Sequence, residues 1–306
     1  MPGLTRRGAL KLATVVGLDA MGDPPIARAA DDPRAIPKRG RIAYQQVVLA
    51  DRPVAYWRLG EASGLTAVDA TGHGHNGKYH GHPTYGETGA IKGDRNTAVG
   101  FLGQEYVEIP DSVHFSQPAS HAGLTVEVWM RPDALDFPGE AAHPHDDPYV
   151  HWLGKGVAGQ YEWGLRFYSL HKDPQHRQLS SRPNRISAYI WNPAGGEGAG
   201  AYFQDKLVKG RWLHIVACYQ RGDKTNPAAG VQIYKDGQFR LGPPSPGTLY
   251  SNPKFLIMPA HGTAPLRLGT RDLGSFLRGG LDEVAIYPYV LSANQVQEHY
   301  KIAMGG

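Results

Sequence analysis

The stretch GLDEVAIYPYVLSANQVQEHY, Gly280 to Tyr300, decides the fold. Its first half alternates apolar and polar residues, the period of a strand with one buried face. Its second half changes to helical spacing. Ser292 stands at the cap position, Gln295 three residues on completes a capping box, and Val296, His299 and Tyr300 share one face. At the other end of the chain AYWRLGE, Ala55 to Glu61, alternates in the same way. Two such strands at opposite ends predict a β-sandwich closed by its first and last strands.

Between them strand-like runs recur at Val54–Leu59, Thr97–Leu102, Tyr106–Ile109, Leu124–Arg131, Tyr161–Tyr168, Arg185–Trp191, Trp212–Tyr219, Val231–Tyr234, Leu266–Gly269 and Leu281–Tyr287. Lys235-Asp236-Gly237-Gln238 sets Asp-Gly between two of these runs, a hairpin signal. In LTVEVWM, Leu124, Val126, Val128 and Met130 form one face and Thr125, Glu127 and Trp129 the other. In WLHIVACY, Trp212, His214, Val216 and Cys218 alternate with Leu213, Ile215, Ala217 and Tyr219. Both faces there are largely apolar, which predicts a central strand in which His214 satisfies a buried hydrogen bond. Tyr44 to Ala50 reads as a short helix ended by Asp51-Arg52-Pro53.

Composition agrees. The 306 residues are 41% hydrophobic and 20% charged, as in a globular protein, and 39 Gly with 24 Pro supply turns for many short strands. No apolar run approaches the roughly 18 residues that would span a membrane. Half of the net charge of +4 comes from the first thirty residues, and no dense Lys/Arg stripe follows, so electrostatics gives no case for nucleic acid. The single cysteine, Cys218, excludes an intramolecular disulfide and reads as a buried thiol.

The segment TRRGALK, Thr5 to Lys11, precedes a short apolar run, Ala9 to Leu18, and Ala27-Arg28-Ala29 offers small residues for cleavage. This resembles a bacterial twin-arginine export signal. The expected organisation is a signal peptide over 1–30, a polar linker over 31–43 and one domain over 44–302, working outside the cytoplasm.

Eight segments stand in a telling order: VLADRPVAYWRLGE, DATGHGHNGKYHG, AVGFLGQEYVEIP, LTVEVWMRP, WLHIVACY, VQIYKDG, LRLGT and LDEVAIYPYVLS. Together they resemble the bacterial laminin G-like domain family. The resemblance implies an all-β, concanavalin A-like jelly-roll sandwich of two antiparallel sheets with a short C-terminal helix. Asp136–Tyr149 and Pro174–Asn184 stand out as insertions.

The loop from Asp69 to Gly77 can present one carboxylate and several carbonyls to a single ion, the mixed oxygen set that calcium takes. The resemblance implies that such an ion lies between this loop and the closing strand, with Asp69, Asn76 and Asp282 as side-chain ligands and a structural role. His73, His75, His80 and His82 cluster in one loop; His143, His145, Asp146, Asp147 and His151 cluster in another. His-x-His spacings arise by chance in a chain with 14 histidines, and loop imidazoles are usually solvated.

Glycan-cleaving relatives of this sandwich carry Glu-x-Asp-x-x-Glu on one strand, and no Glu here has an Asp two residues on. Glu105 and Glu108 fall on opposite faces of their strand. Gly-x-Ser-x-Gly and His-Glu-x-x-His are absent as well. A binding face is better supported. In YEWGLRFY, Tyr161, Trp163, Leu165 and Phe167 share a face opposite Glu162, Arg166 and Tyr168; in RISAYIW, Ile186, Ala188 and Ile190 oppose Ser187, Tyr189 and Trp191. With the aliphatic faces inward, Arg166, Tyr168, Tyr189 and Trp191 point outward as a platform of the kind that sugars stack on. The expected molecule is an exported, non-catalytic module for an extracellular carbohydrate. The alternatives are an adhesion module that contacts protein at a cell surface and a glycan-cleaving enzyme with an unrecognised carboxylate pair.

Overall fold

Short strands dominate the chain from its first helix onward. The helix α1 (Tyr44–Ala50) is followed by β1 (Ala55–Trp57), β2 (Thr66–Ala67), β3 (Gly77–His80), β4 (Thr84–Thr88), β5 (Thr97–Leu102) and β6 (Tyr106–Ile109). Then come β7 (Leu124–Pro132), β8 (Tyr149–Lys155), β9 (Trp163–Tyr168), β10 (Ile186–Trp191), β11 (Gly198–Phe203) and β12 (Leu213–Tyr219). The last elements are β13 (Val231–Lys235), β14 (Gln238–Phe239), β15 (Tyr250–Ser251), β16 (Leu266–Leu268), β17 (Arg278–Tyr287) and α2 (Ala293–Ala303). This is a computed structural model that describes residues 43–116, 123–135, 149–169, 186–195, 198–203, 207–220, 230–239, 250–251, 257 and 259–306. The chain divides into Met1–Arg41 and Ile42–Gly306, and every described residue lies in the second unit. The export segment, the linker up to residue 42, both insertions except Tyr149, and His143 to Asp147 lie outside the described residues.

The strands form two antiparallel sheets. One runs β14-β13-β12-β7-β17-β5-β4, with β1 also paired to β17; the other runs β15-β11-β10-β9-β8-β16-β6-β3-β2. The first and last strands do close one sheet, with Ala55 opposite Ile286 and Trp57 opposite Val284. The inward faces meet in a core that includes Trp57, Val126, Val128, Trp152, Trp163, Ile215 and Ile286. Fully burying each large apolar side chain contributes roughly 1.5–3 kcal/mol, so this layer supplies the main drive for folding.

A second apolar layer covers the outside of the eight-stranded sheet. Tyr44 and Val48 of α1 and Val296, Ile302 and Ala303 of α2 pack there against Trp129, Val216, Cys218 and Tyr287. This explains why β12 is apolar on both faces and sits centrally between β7 and β13. Burial pushes the Cys218 thiol up to about 11, so it is an inert core group. The cap of α2 forms as expected, with Ser292 Oγ accepting from Gln295 N at 3.3 Å and Gln295 Oε1 accepting from Ser292 N at 3.0 Å. At the β13–β14 turn Asp236 and Gly237 take φ of 51° and 72°, and Lys235 pairs with Gln238. These are the left-handed values of a two-residue hairpin.

One expectation fails at β17. Simple alternation predicts one buried face, but all of Gly279 to Tyr287 is buried. The register against β7 shifts between Asp282 and Ala285, and Glu283 has φ of 51°. This bulge moves Val284 and Ile286 onto the inner face with Leu281, while Ala285 and Tyr287 pack under the helices. Among the described residues no helix is long and apolar enough to cross a membrane.

Candidate functional site

The outer face of the nine-stranded sheet is built by register. Arg166 lies opposite Ser187 on β10 and opposite His151 on β8; Tyr149 lies opposite Tyr168. Tyr189 lies between Gly164 on β9 and Gly200 on β11, and Trp191 lies opposite Gly198. Glycine beside an aromatic residue leaves room for the ring to lie along the sheet. A methyl group at Gly200 would come within 2.8 Å of the Tyr189 ring, and one at Gly198 within 2.8 Å of the Trp191 ring. The backbone of these strands therefore forms the floor under both rings.

On that floor aromatic rings and guanidinium groups alternate. Arg271, from the turn after β16, places Cζ 4.7 Å from the Tyr161 ring centroid and 4.8 Å from that of Trp191. Trp191 stacks on Tyr189 at 5.6 Å with 22° between planes. Arg166 Cζ lies 3.9 Å from the Tyr189 centroid, 4.8 Å from that of Tyr149 and 5.3 Å from that of Tyr168. Each contact is within cation–π range. His151 abuts Trp191 edge-on at 5.8 Å. The carboxylates beside this face are held by arginines: Asp272 by Arg271 at 2.5 Å and Glu108 by Arg267 at 2.9 Å.

The four platform residues expected from sequence thus come together, with one correction among them and two beside them. Arg166, Tyr189 and Trp191 are partly exposed, but Tyr168 is 2% exposed, because Tyr149 and Arg166 pack over it. Tyr161 does not share the inward face of Trp163: the strand begins only at Trp163, and the Tyr161 ring stands beside Trp191 and Arg271. Glu162 also leaves the predicted face. Its carboxylate holds the fully buried Lys155 ammonium, which Asp111 reaches at 2.9 Å. Sequence reading missed Tyr149, His151, Tyr161 and Arg271. The signal for a flat outer face was present in the run Gly198-Ala199-Gly200-Ala201, whose alternate glycines fall opposite Trp191 and Tyr189.

The residues expected to ligate calcium fall into two networks. Asp69 Oδ1 accepts from Tyr56 N at 3.1 Å, Thr71 N at 3.0 Å and Thr71 Oγ1 at 2.7 Å; Oδ2 accepts from His75 N at 3.0 Å. Burial alone would raise this carboxyl, but the bonds from Thr71, Tyr56 and His75 hold it below its ordinary value. Asn76 Oδ1 accepts from Asp69 N at 2.8 Å. Trp57 locks the same loop, its Nε1 donating to His75 O at 2.8 Å. Asp282 belongs elsewhere, accepting from Ala90 N at 2.8 Å and from Asn96 Nδ2 at 3.3 Å. Burial and the adjacent Glu283 push the Asp282 carboxyl well above its usual range, while Arg58 pairs with Glu283 at 2.7 Å. Among the described residues no three His, Cys, Asp or Glu side chains converge as metal ligands. The loop histidines separate: His73 meets Val54 O, His75 packs on Phe115, and His80 stacks on Tyr106.

Glu127 sits fully buried under the two helices, far from the outer face of the other sheet. It accepts from Tyr44 Oη at 2.9 Å and Tyr287 Oη at 2.6 Å, and it bonds His214 Nε2 at 2.8 Å and His299 Nδ1 at 3.0 Å. Burial would raise its carboxyl, yet His299 and His214 hold it well below the carboxylate range. His214 therefore does satisfy a buried hydrogen bond, and the cluster ties α1 and α2 to β7, β12 and β17.

Residues 101–297, well over half the chain, match the laminin G-type family model described as the concanavalin A-like lectin/glucanases superfamily. No curated protein matches the chain. Among solved structures it is similar to domain 4 of an extracellular arabinanase from Geobacillus stearothermophilus, solved with arabinotriose, at 18% identity and TM-score 0.48 over 81% of this chain and 98% of that one. It is also similar to the binding domain of botulinum neurotoxin DC in complex with rat synaptotagmin II, at 10% identity and TM-score 0.52 over 83% and 52%. The same toxin domain in complex with SialylT gives 10% identity and TM-score 0.50 over 82% and 52%. The chain spans about half the length of these toxin domains, and at such identities the likeness is one of fold.

Proposed function

We propose that this chain, which belongs to the concanavalin A-like lectin/glucanases superfamily, is an exported, non-catalytic carbohydrate-binding module. One observation carries the reading: Tyr189 and Trp191 stack side by side over a glycine floor, partly exposed, with Arg166 and Arg271 at either end. Flat, rigid rings offer sugar C–H faces a large apolar contact at low entropic cost, and the partly exposed Arg166 guanidinium orients hydroxyls, while Arg271, held by Asp272, supports the Trp191 ring. The carboxylates Asp272 and Glu108 beside the face are each engaged with an arginine, which favours binding over hydrolysis.

The test is isothermal titration of the full chain against a panel of soluble polysaccharides, with Trp191→Ala as the paired variant. Binding that Trp191→Ala weakens tenfold or more supports the module. Binding that is unchanged in the variant moves the site off this face.

Export by the leader over residues 1–30, with a linker to residue 43 and one domain over 44–302, belongs to the same proposal. Fractionating cells that make the full chain or an Arg6→Lys, Arg7→Lys variant tests it. A chain that leaves the cytoplasm only when both arginines are present supports export. Calcium is proposed as a stabilising ion only, with Asp69 and Asn76 of the one loop as side-chain ligands, since Asp282 lies in a separate network. A melting midpoint that rises with calcium and falls back with a chelator supports it; one that ignores both removes the ion.

A further inference from the structure

We infer that the ligand of the outer face carries an oxyanion, a carboxylate or a sulfate ester on a sugar, and that Arg166 receives it. This rests on the carbohydrate reading and adds the class of glycan. Arg166 is partly exposed in the middle of the face, boxed by Tyr189, Tyr149 and Tyr168. Its Nε donates to Ser187 Oγ at 3.3 Å. Among the described residues no carboxylate pairs with it. The other two arginines of the face differ: Arg267 has Glu108 at 2.9 Å, and Arg271 has Asp272 at 2.5 Å. In the other sheet Arg58 has Glu283 at 2.7 Å, and Arg131 has Asp133 at 2.7 Å.

Tyrosine rings attract a guanidinium through their π faces, and Ser187 and Tyr189 take part of its donor capacity, but its remaining N–H groups still need acceptors. The box fixes the side chain and keeps water off its planar faces. Its cost of ordering and partial desolvation is therefore met on folding, before any ligand arrives. An oxyanion that meets such a fork forms paired, charge-assisted hydrogen bonds, about twice as strong as those to a neutral hydroxyl. The adjoining Tyr189–Trp191 stack would hold the sugar ring, and Arg166 would select sugars bearing the acid.

The experiment uses the full chain and matched polymers. Polygalacturonate is compared with its methyl ester, and dextran sulfate with dextran, by titration at fixed ionic strength. Two variants follow: Arg166→Gln, and Lys209→Gln, which removes the same charge from the exposed turn before β12 in the other sheet. The expected result is at least a tenfold preference for one acidic polymer over its neutral match. Arg166→Gln should abolish that preference and Lys209→Gln should retain it. Whichever pair shows the preference identifies the acid as carboxylate or sulfate. Equal affinity within both pairs, or equal losses in the two variants, overturns the inference and leaves the carbohydrate reading standing. No binding to any of the four polymers, nor to any glycan of the wider panel, overturns both. Should Arg166→Gln fail to fold by circular dichroism, the matched-polymer comparison on the unaltered chain decides.

Discussion

Replacing Glu127 by Gln should destabilise the domain by about 3–5 kcal/mol, the usual cost of breaking a buried ion pair on one side. The carboxylate bonds two tyrosine hydroxyls and two imidazoles, all buried, and an amide of the same shape keeps one acceptor while turning a donor toward the other partners. His299 would retain only Asp51, at 3.1 Å from its Nε2. For a unit as large as residues 42–306, each kcal/mol moves the midpoint by about 2 °C, so calorimetry should show a fall of about 6–10 °C. The pH profile adds a second signature. Glu127 is depressed, so its contribution is present above about pH 4.3, the unfolded value, and is lost as pH falls through its folded value. Burial would lower His299, but Glu127 and Asp51 raise it. Its contribution is therefore full below about pH 6.5 and is lost as pH rises through its folded value. The network should stabilise most between about pH 4.3 and 6.5, and Glu127→Gln should flatten the acid fall and weaken the alkaline one. A midpoint within 2 °C of the parent, together with an unchanged pH profile, would show that the cluster contributes little and refute this account of how the helices are held.

Asp69→Ala removes the acceptor of four hydrogen bonds that organise the Gly-rich loop, so hydrogen exchange at Thr71 and His75 should quicken while the glycan affinity stays the same. Gly200→Ala sets a methyl group 2.8 Å from the Tyr189 ring and 2.7 Å from Ala188 O; it should cost roughly 1–3 kcal/mol in a urea melt and weaken glycan binding by tilting the ring.

The sandwich was legible because its strands keep a period of two and its hairpin and helix cap carry specific turn chemistry. Thr97–Leu102 and Tyr106–Ile109 form as read, and Ser292 with Gln295 starts α2 where expected. Strands made of small or polar residues were not legible. The run Gly198 to Ala201 that opens β11 lacks the β-branched and aromatic residues that mark a strand, because its glycines serve as floor for rings on β10. Tyr149–Lys155 begins at the end of an insertion, which hid it. The bulge at Glu283 breaks alternation inside the very stretch that names the fold. At the site, parity along β9 and β10 was enough to find Arg166, Tyr189 and Trp191. Arg271 could not be found so, since a turn far along the chain brings it over Gly154 and Gly164, where a Cβ would lie 3.0 and 3.3 Å from its side chain. The burial of Tyr168 depends on Tyr149, a cross-strand neighbour that local pattern does not reveal.

The central claim is that the Tyr189–Trp191 stack binds carbohydrate. Its most direct test is the change in indole fluorescence of the full chain on titration with the polysaccharide panel, read in the parent and in Trp191→Ala. The account predicts a saturable change in the parent with at least one polysaccharide and its loss in the variant, with the fold retained by circular dichroism. A saturable change of equal size and midpoint in both proteins, or none with any polysaccharide in the parent, would contradict it.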